Sequence, residues 1–186
     1  NKAKGAMAAV LYANDEEIDS ICNNASNNGV IVKANINSDN QIVISGDEEA
    51  INNAVIFSKG LSKGVRCLKL NVSGAFHSPL MAYARKSLSN VLNSLNFSDA
   101  RCPVYQNTDP SPITDGLQIK DNLLNQLESP VRWSETINNI SKNEMINHFI
   151  EVGPKNILSK INKTISSELV SSNFGTYEEI EEFTYV

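Results

Sequence analysis

The chain has 186 residues, 41% of them hydrophobic, enough to bury the core of one ordinary domain or of one domain with a small inserted one. Its formal net charge of −5 argues against a nucleic-acid surface, which needs a dense basic patch. No apolar run approaches the roughly 20 residues that span a bilayer, so we expect no membrane partner either. The 3 cysteines are widely spaced and odd in number, which predicts neither a disulfide framework nor a metal site.

The first 72 residues follow the order strand, helix, strand, strand, helix, strand. Short apolar or alternating runs indicate the strands, and apolar residues at offsets of three and four indicate the helices. The segments are, in chain order, 5–13, 15–27, 31–36, 41–45, 47–61 and 66–72. In the last strand, Leu68, Leu70 and Val72 share the predicted buried face. A βαββαβ order is the split βαβ or ferredoxin-like arrangement, so we assign residues 1–72 to a ferredoxin-like small subdomain.

Residues 73–166 alternate helix and strand, which predicts an α/β unit with a parallel sheet. The predicted helices and strands are 78–95, 102–105, 115–127, 134–140, 147–152 and 156–165. Two strands do not make a viable parallel core, so this half is expected to complete a larger sheet. We expect residues 167–186 to form a mobile acidic tail.

The chain contains 2 histidines. His77 lies where a predicted strand gives way to a helix, and a histidine on such a loop can act as a general base at a sheet edge. His148 lies inside an apolar strand, where a structural role is the simpler interpretation. The residues alone leave His77 evenly divided between a catalytic and a structural role.

Five sequence blocks resemble malonyl-CoA:acyl carrier protein transacylases, in that family's order and at close to its spacing. The blocks begin Gly-Ala-Met-Ala-Ala-Val, Asn-Ile-Asn-Ser, Gly-Ala-Phe-His, Asn-Gln-Leu-Glu-Ser-Pro and Ile-Glu-Val-Gly-Pro, and they cover residues 5–10, 35–46, 74–77, 125–133 and 150–154. The resemblance implies a ferredoxin-like subdomain inserted into a hydrolase-like α/β core. Residues 73–166 would be the C-terminal part of that core.

The resemblance also implies a reaction. In that family a serine in a Gly-His-Ser-x-Gly elbow attacks malonyl-CoA, and a histidine takes its proton. The malonyl group then passes to the phosphopantetheine thiol of acyl carrier protein, and no cofactor takes part. His77 occupies the histidine position, and Gln126 matches the residue whose backbone carbonyl orients it. Malonyl-CoA and acyl carrier protein are the implied partners, the complete enzyme is expected to be monomeric, and its compartment is the cytoplasm or a plastid-type stroma.

Three residues are implied for substrate binding. Asn35 and Asn37 match polar residues near the acyl pocket, but a role as turn-forming asparagines of a hairpin is at least as good an interpretation. Related acyltransferase domains carry Ala-Phe-His when they select malonyl groups and Ala-Ser-His when they select methylmalonyl groups. Phe76 is therefore expected to exclude an α-methyl group, with packing against the following helix as the structural alternative.

Three basic residues near the last ferredoxin-like strand are candidates for contact with the acidic carrier protein. They are Lys63, Arg66 and Lys69. The alternative, that these charges keep a solvent-exposed edge strand from pairing with another chain, explains the same residues equally well.

The chain departs from the family in what it lacks. We expect neither a Gly-x-Ser-x-Gly nucleophile elbow nor the family's Gly-Gln-Gly-Ser-Gln loop in this chain, and no arginine stands where the malonyl carboxylate would be paired. We therefore expect a C-terminal part of the enzyme that needs an upstream segment and is inactive alone. A related serine acyl hydrolase and a non-catalytic carrier-binding fragment are the alternatives.

Overall fold

The computed structural model describes residues 4–62 and 64–181 as an α/β structure. Its helices and strands are, in chain order, β1 (Gly5–Leu11), α1 (Asp15–Ala25), β2 (Ile31–Ser38), β3 (Gln41–Asp47), α2 (Glu48–Ser58), β4 (Arg66–Lys69), α3 (Ala82–Asn93), α4 (Gly116–Asn125), α5 (Trp133–Asn143), β5 (His148–Val152), α6 (Ile157–Ile165), β6 (Val170–Phe174) and α7 (Tyr177–Glu181). The chain divides into two compact units, Asn1–Thr136 and Ile137–Val186. Within the described residues, no helix is both long enough and apolar enough to cross a membrane.

The first unit contains an antiparallel sheet of four strands in the order β2-β3-β1-β4. In the central strand β1, Val10 lies between Ile42 of β3 and Cys67 of β4. The predicted succession βαββαβ is observed through β4. Both helices of this succession therefore connect strands of a single sheet.

Helices α1 and α2 pack against one face of this sheet. Helix α1 begins at a capping box, in which Asn14 and Glu17 exchange side-chain and backbone hydrogen bonds. Its buried residues Ile18, Ile21 and Ala25 follow at offsets of three and four. The core that they form with the sheet consists of Ala6, Ala8, Val10, Ala13, Ile18, Ile21, Ala25, Ile42, Ile44, Ile51, Ala54 and Cys67.

The opposite face of the sheet is also buried. Met7, Ala9, Ala34 and Val43 form a second cluster there, with Leu70 packed against it. The central strand β1 is thus buried on both faces, which explains its continuous run of apolar residues.

Strand β4 differs from its prediction in both length and phase. It ends at Lys69, and its buried residue is Cys67, whereas Leu68 is 52% exposed. Cys67 stands opposite Val10 in the sheet, and the Val10 side chain belongs to the core beneath the helices. Cys67 therefore lies on that same buried face, and Leu68 lies on the other. The prediction that Leu68, Leu70 and Val72 share the buried face is wrong.

Between β4 and α5 the predicted elements are mostly present but shorter. The helix predicted from residue 78 begins as a 3₁₀ turn, Pro79–Met81, before α3. The strand predicted at 102–105 is reduced to a single bridge between Val104 and Ile113. Asp115 caps α4 by accepting a hydrogen bond from the Gln118 N–H at 2.7 Å.

The second unit contains β5 and β6, which pair in parallel from His148 with Val170 to Val152 with Phe174. Residues 170–174 were predicted to belong to a mobile tail, and this assignment is wrong because they form a strand. The sequence Val-Ser-Ser-Asn-Phe has a weak strand preference of its own, and pairing with β5 supplies the missing stabilisation. Residues 182–186 of that predicted tail lie outside the described residues.

Gly46 is a position where the fold requires glycine. A methyl group there would overlap the carbonyl oxygen of Val30, which already accepts a hydrogen bond from the Asp47 N–H at 2.8 Å. We therefore expect Gly46→Ala to lower the free energy of unfolding by about 1–3 kcal/mol, measured by urea denaturation. Gly60→Ala is the control, because its new methyl group would meet only the Phe57 carbonyl oxygen at 3.6 Å. Equal stability of the two variants would contradict the assignment.

Candidate functional site

The loop that carries His77 is fixed by its neighbour Ser78. The fully buried Ser78 hydroxyl donates to the Ala75 carbonyl at 2.7 Å and accepts from the Leu80 N–H at 3.3 Å. His77 has a φ of 58°, in the left-handed region, which costs a non-glycine residue about 1–2 kcal/mol. The surrounding hydrogen bonds therefore hold the histidine in a backbone conformation that it would not adopt by preference.

The imidazole of His77 is bonded to a main-chain carbonyl. Its Nδ1 lies 2.7 Å from the carbonyl oxygen of Gln126, and the contact is partly buried. Because a carbonyl oxygen only accepts, Nδ1 carries the proton of the neutral ring, and Nε2 is the nitrogen that can take a further proton. The backbone of another element thus sets the tautomer of His77, as a proton acceptor at Nε2 would require.

The carbonyl of Gln126 is available because it lies at the end of α4. Gln126 is the C-cap residue, and its own N–H donates to the Asn122 carbonyl at 3.0 Å. The last four carbonyls of a helix have no intrahelical donor, and the partial negative charge at that end stabilises a nearby cation. The Gln126 side chain is used separately, accepting a hydrogen bond from Asn107 Nδ2 at 3.2 Å.

Four of the five sequence blocks meet in the first unit. A β-carbon on Gly5 would lie 2.5 Å from the Ala75 nitrogen, so the 5–10 block packs tightly against the block that ends at His77. That block is bonded to the 125–133 block through Gln126. Val131 in turn lies beside β2, donating to the Ala34 carbonyl and accepting from the Ile36 N–H, each at 2.8 Å. The fifth block, 150–154, lies in the second unit.

The three candidate substrate-binding residues have different surroundings. Phe76 is 39% exposed, so its ring is not fully enclosed by packing. Asn35 is partly exposed on β2, where it pairs with Val43 and bridges to Val131. Asn37 is partly exposed within the register shift between Ile36 and Ser38. The structure thus brings Asn35 to the segment that follows Gln126.

The basic candidates divide into three cases. Lys63 lies outside the described residues. Arg66 is exposed on β4. Lys69 makes an ion pair with Glu48 at 2.8 Å and donates to Asn52 Oδ1 at 3.1 Å, and this pairing holds the pKa of Glu48 below its usual value.

The second histidine has a simple structural environment. His148 is exposed at the start of β5, and its Nε2 lies 3.0 Å from the Ser172 hydroxyl of β6. The expectation of an apolar surrounding is wrong, because alternate residues of β5 are exposed. Its contact joins two paired strands.

One segment matches the letters of the elbow pattern and was overlooked in the sequence. Gly60-Leu61-Ser62-Lys63-Gly64 lies after α2 and before β4, so it joins a helix to a strand. A nucleophile elbow joins a strand to a helix, which places the serine above the sheet. The Ser62 hydroxyl instead donates to the Glu17 carboxylate, which lowers the pKa of Glu17. This serine is part of a helix-terminal contact.

Thiol chemistry is disfavoured at Cys22 and Cys67, which both contribute to the core beneath α1 and α2. Burial raises the pKa of Cys67 to about 11 and also raises the pKa of Cys22. Burial therefore disfavours the thiolate, the form that reacts as a nucleophile, at both positions. In the part of the chain that the structure describes, no three or more His, Cys, Asp or Glu residues are grouped to hold a metal ion.

Comparison with known proteins identifies the family to which this chain belongs. The acyl transferase domain family matches residues 1–181, and the chain belongs to this family. The malonyl CoA-acyl carrier protein transacylase of Staphylococcus aureus (strain MSSA476) is 37% identical over 179 residues, which cover 95% of this chain and 57% of that protein.

Solved structures show the same likeness. The acyl-carrier-protein S-malonyltransferase of Burkholderia pseudomallei 1710b superposes with a TM-score of 0.88 at 34% identity, covering 97% of this chain and 58% of that one. A malonyl-transacylase in complex with its type II PKS acyl-carrier protein gives a TM-score of 0.87 at 31% identity, covering 97% of this chain and 58% of that one. The chain thus spans little more than half the length of the relatives that it matches.

Proposed function

We propose that this chain supplies the general base and part of the acyl pocket of a malonyl-CoA:acyl carrier protein transacylase, an enzyme of fatty-acid synthesis. The observation that carries the proposal is the 2.7 Å contact between His77 Nδ1 and the Gln126 carbonyl. It leaves Nε2 as the proton acceptor that an acyl-serine mechanism needs. Membership of the acyl transferase domain family supports the same assignment.

In the proposed reaction, His77 Nε2 accepts the proton of a serine hydroxyl supplied by a segment outside this chain. The serine oxygen attacks the thioester carbonyl of malonyl-CoA, the carbon–sulfur bond breaks, and the proton on Nε2 passes to the departing thiol. The phosphopantetheine thiol of acyl carrier protein then gives its proton to Nε2 and attacks the malonyl-serine ester. The serine oxygen recovers that proton as it leaves, so the base is regenerated.

We also propose how the chain is organised within the enzyme. Residues 1–72 would form a ferredoxin-like subdomain, which the strand order β2-β3-β1-β4 supports. Residues 73–166 would belong to a hydrolase-like α/β core, and residues 167–186 would form a C-terminal region that includes β6. In this organisation Phe76, Asn35 and Asn37 border the acyl pocket.

Acyl carrier protein is the proposed acceptor, supported by the relative whose structure holds a malonyl-transacylase with its carrier protein. Arg66 and Lys69 are proposed to contribute positive charge toward this acidic partner, together with Lys63. The complete enzyme is proposed to act as a monomer in the cytoplasm or a plastid-type stroma. Three free cysteines are consistent with a reducing compartment.

The chain alone is expected not to become acylated. Incubation of residues 1–186 with malonyl-CoA should give no covalent adduct by mass spectrometry, because no serine among residues 4–62 and 64–181 lies in a Gly-x-Ser-x-Gly turn from a strand into a helix. The matched sample is a chimaera in which an upstream segment of the Staphylococcus aureus relative precedes Asn1, and it should gain one malonyl group. A stable malonyl adduct on Ser62 or any other serine of this chain would contradict the proposal.

The same chimaera separates the transferase from an acyl hydrolase. A transferase should retain its malonyl group until a carrier thiol is added, whereas a hydrolase should release free malonate to water. Tight binding of acyl carrier protein by residues 1–186 alone, with an inactive chimaera, would favour the non-catalytic alternative.

A further inference from the structure

Arg85 lies on α3, the helix that follows the His77 loop, and it contacts the end of α4. Its Nη1 donates to the Leu124 carbonyl at 3.2 Å, and its Nη2 donates to Asn125 Oδ1 at 3.0 Å. Glu128 completes the contact, with its carboxylate 3.5 Å from Nη1. One guanidinium therefore binds three groups in or just beyond the last turn of α4.

These contacts account for three of the four carbonyls that the end of α4 leaves open. The Leu124 carbonyl accepts from Arg85, the Asn125 carbonyl accepts from the Glu128 N–H at 3.1 Å, and the Gln126 carbonyl faces His77. Carbonyls at a helix end need donors from elsewhere, and a cation there is favoured by the helix dipole. Two of the three donors come from the single segment that carries both His77 and Arg85.

We propose that Arg85 is a positioning residue for His77. His77 and Asn107 both bind at Gln126, so they hold one residue at the end of α4. Gln106 binds Ile119 and Asn122, which lie one to two turns earlier on that helix. The Arg85 attachment, two residues before Gln126 on α4, fixes the carbonyl against the imidazole and so selects the Nδ1–H tautomer. The catalytic consequence rests on the proposed transacylase function, but the effect on the tautomer does not.

The tautomer can be measured on the chain as it exists. Long-range proton–nitrogen NMR distinguishes Nδ1–H from Nε2–H, and His148→Gln assigns the signals because the chain has 2 histidines. Where the spectra show neutral rings, we expect the ratio of Nδ1–H to Nε2–H at His77 to fall roughly two- to fivefold in Arg85→Met, from the weakening of one hydrogen bond. Lys86→Met is the matched control, since it removes an exposed positive charge one residue along the same helix and should leave the ratio unchanged.

Two further variants sharpen the test. Arg85→Lys retains a donor for the Leu124 carbonyl but cannot also donate to Asn125 Oδ1 through a second nitrogen. Its ratio of Nδ1–H to Nε2–H should therefore fall between those of the wild type and Arg85→Met. Gln126→Ala keeps the backbone carbonyl and should leave the ratio nearly unchanged. An unchanged ratio in a folded Arg85→Met chain would overturn the proposal. If Arg85→Met does not fold, an unchanged ratio in Arg85→Lys would overturn it equally.

Activity gives a second readout in the active chimaera. Arg85→Met should lower kcat about five- to tenfold and leave the KM for malonyl-CoA unchanged, because it misplaces the base without touching the substrate. A rise in KM at unchanged kcat would contradict a positioning role. An inactive wild-type chimaera would defeat the proposed function, and the tautomer ratio would then decide the role of Arg85 by itself.

Discussion

Replacing His77 by alanine is expected to lower malonyl transfer by at least about 100-fold, within the ~10²–10⁴ range for loss of a general base. The reason is the arrangement at Nδ1, where the bond to the Gln126 carbonyl leaves Nε2 to take the serine proton. The measurement is kcat/KM for malonyl-CoA and acyl carrier protein in the chimaera that supplies the serine. The burst of malonyl-enzyme should be lost together with turnover.

The control for this result is the other histidine. His148→Gln should change stability far more than rate, because its side chain only joins two strands through Ser172. A large loss of rate in His148→Gln, with a nearly normal His77→Ala, would show that the base is wrongly assigned. Circular dichroism of both variants establishes that each is folded before the rates are compared.

Replacing Phe76 by serine is expected to relax the choice between malonyl-CoA and methylmalonyl-CoA. The ring precedes the base directly and is 39% exposed, so it can border the space that an α-methyl group would occupy. One methyl group is worth roughly 1–3 kcal/mol in such discrimination, so the wild type should prefer malonyl-CoA by about 10- to 200-fold. In Phe76→Ser this preference should largely disappear.

The quantity to measure is the ratio of kcat/KM for the two thioesters. Tyr83→Ser is a suitable comparison, since it removes another exposed aromatic side chain from the first unit without altering the residue beside the base. An unchanged ratio in a folded Phe76→Ser enzyme would show that the ring packs against the protein without shaping the acyl pocket.

The sequence predicted the parts of the fold that have strong local signals. The βαββαβ succession followed from apolar periodicity, and the predicted start of the first helix at residue 15 matches the start of α1 at Asp15. The buried face of β4 could not be predicted, because it depends on which residue stands opposite Val10 in the sheet. Strand β6 was missed for a similar reason, since five residues with two serines and an asparagine form a strand only beside β5.

The candidate site shows the same division. His77 and Gln126 were paired in advance through the family resemblance, and their separation of 49 positions gave no local sign of contact. Arg85 was not anticipated, because an arginine in a helical pattern looks like any exposed charge until α4 is placed beside it. The Gly60 to Gly64 segment shows the opposite error, in which a motif is present in letters and its strand-to-helix context is absent.

The use of a main-chain oxygen at position 126 has an evolutionary consequence. A proton relay oriented by an aspartate can be lost through a single nucleotide change that removes the carboxylate. Here no amino-acid substitution at 126 removes the accepting carbonyl oxygen, so a substitution acts on the relay only by moving the backbone. Variants that lower the rate should therefore include changes at position 85, where the Arg85 side chain binds the end of α4, and replacement of the Gln126 side chain should cost less.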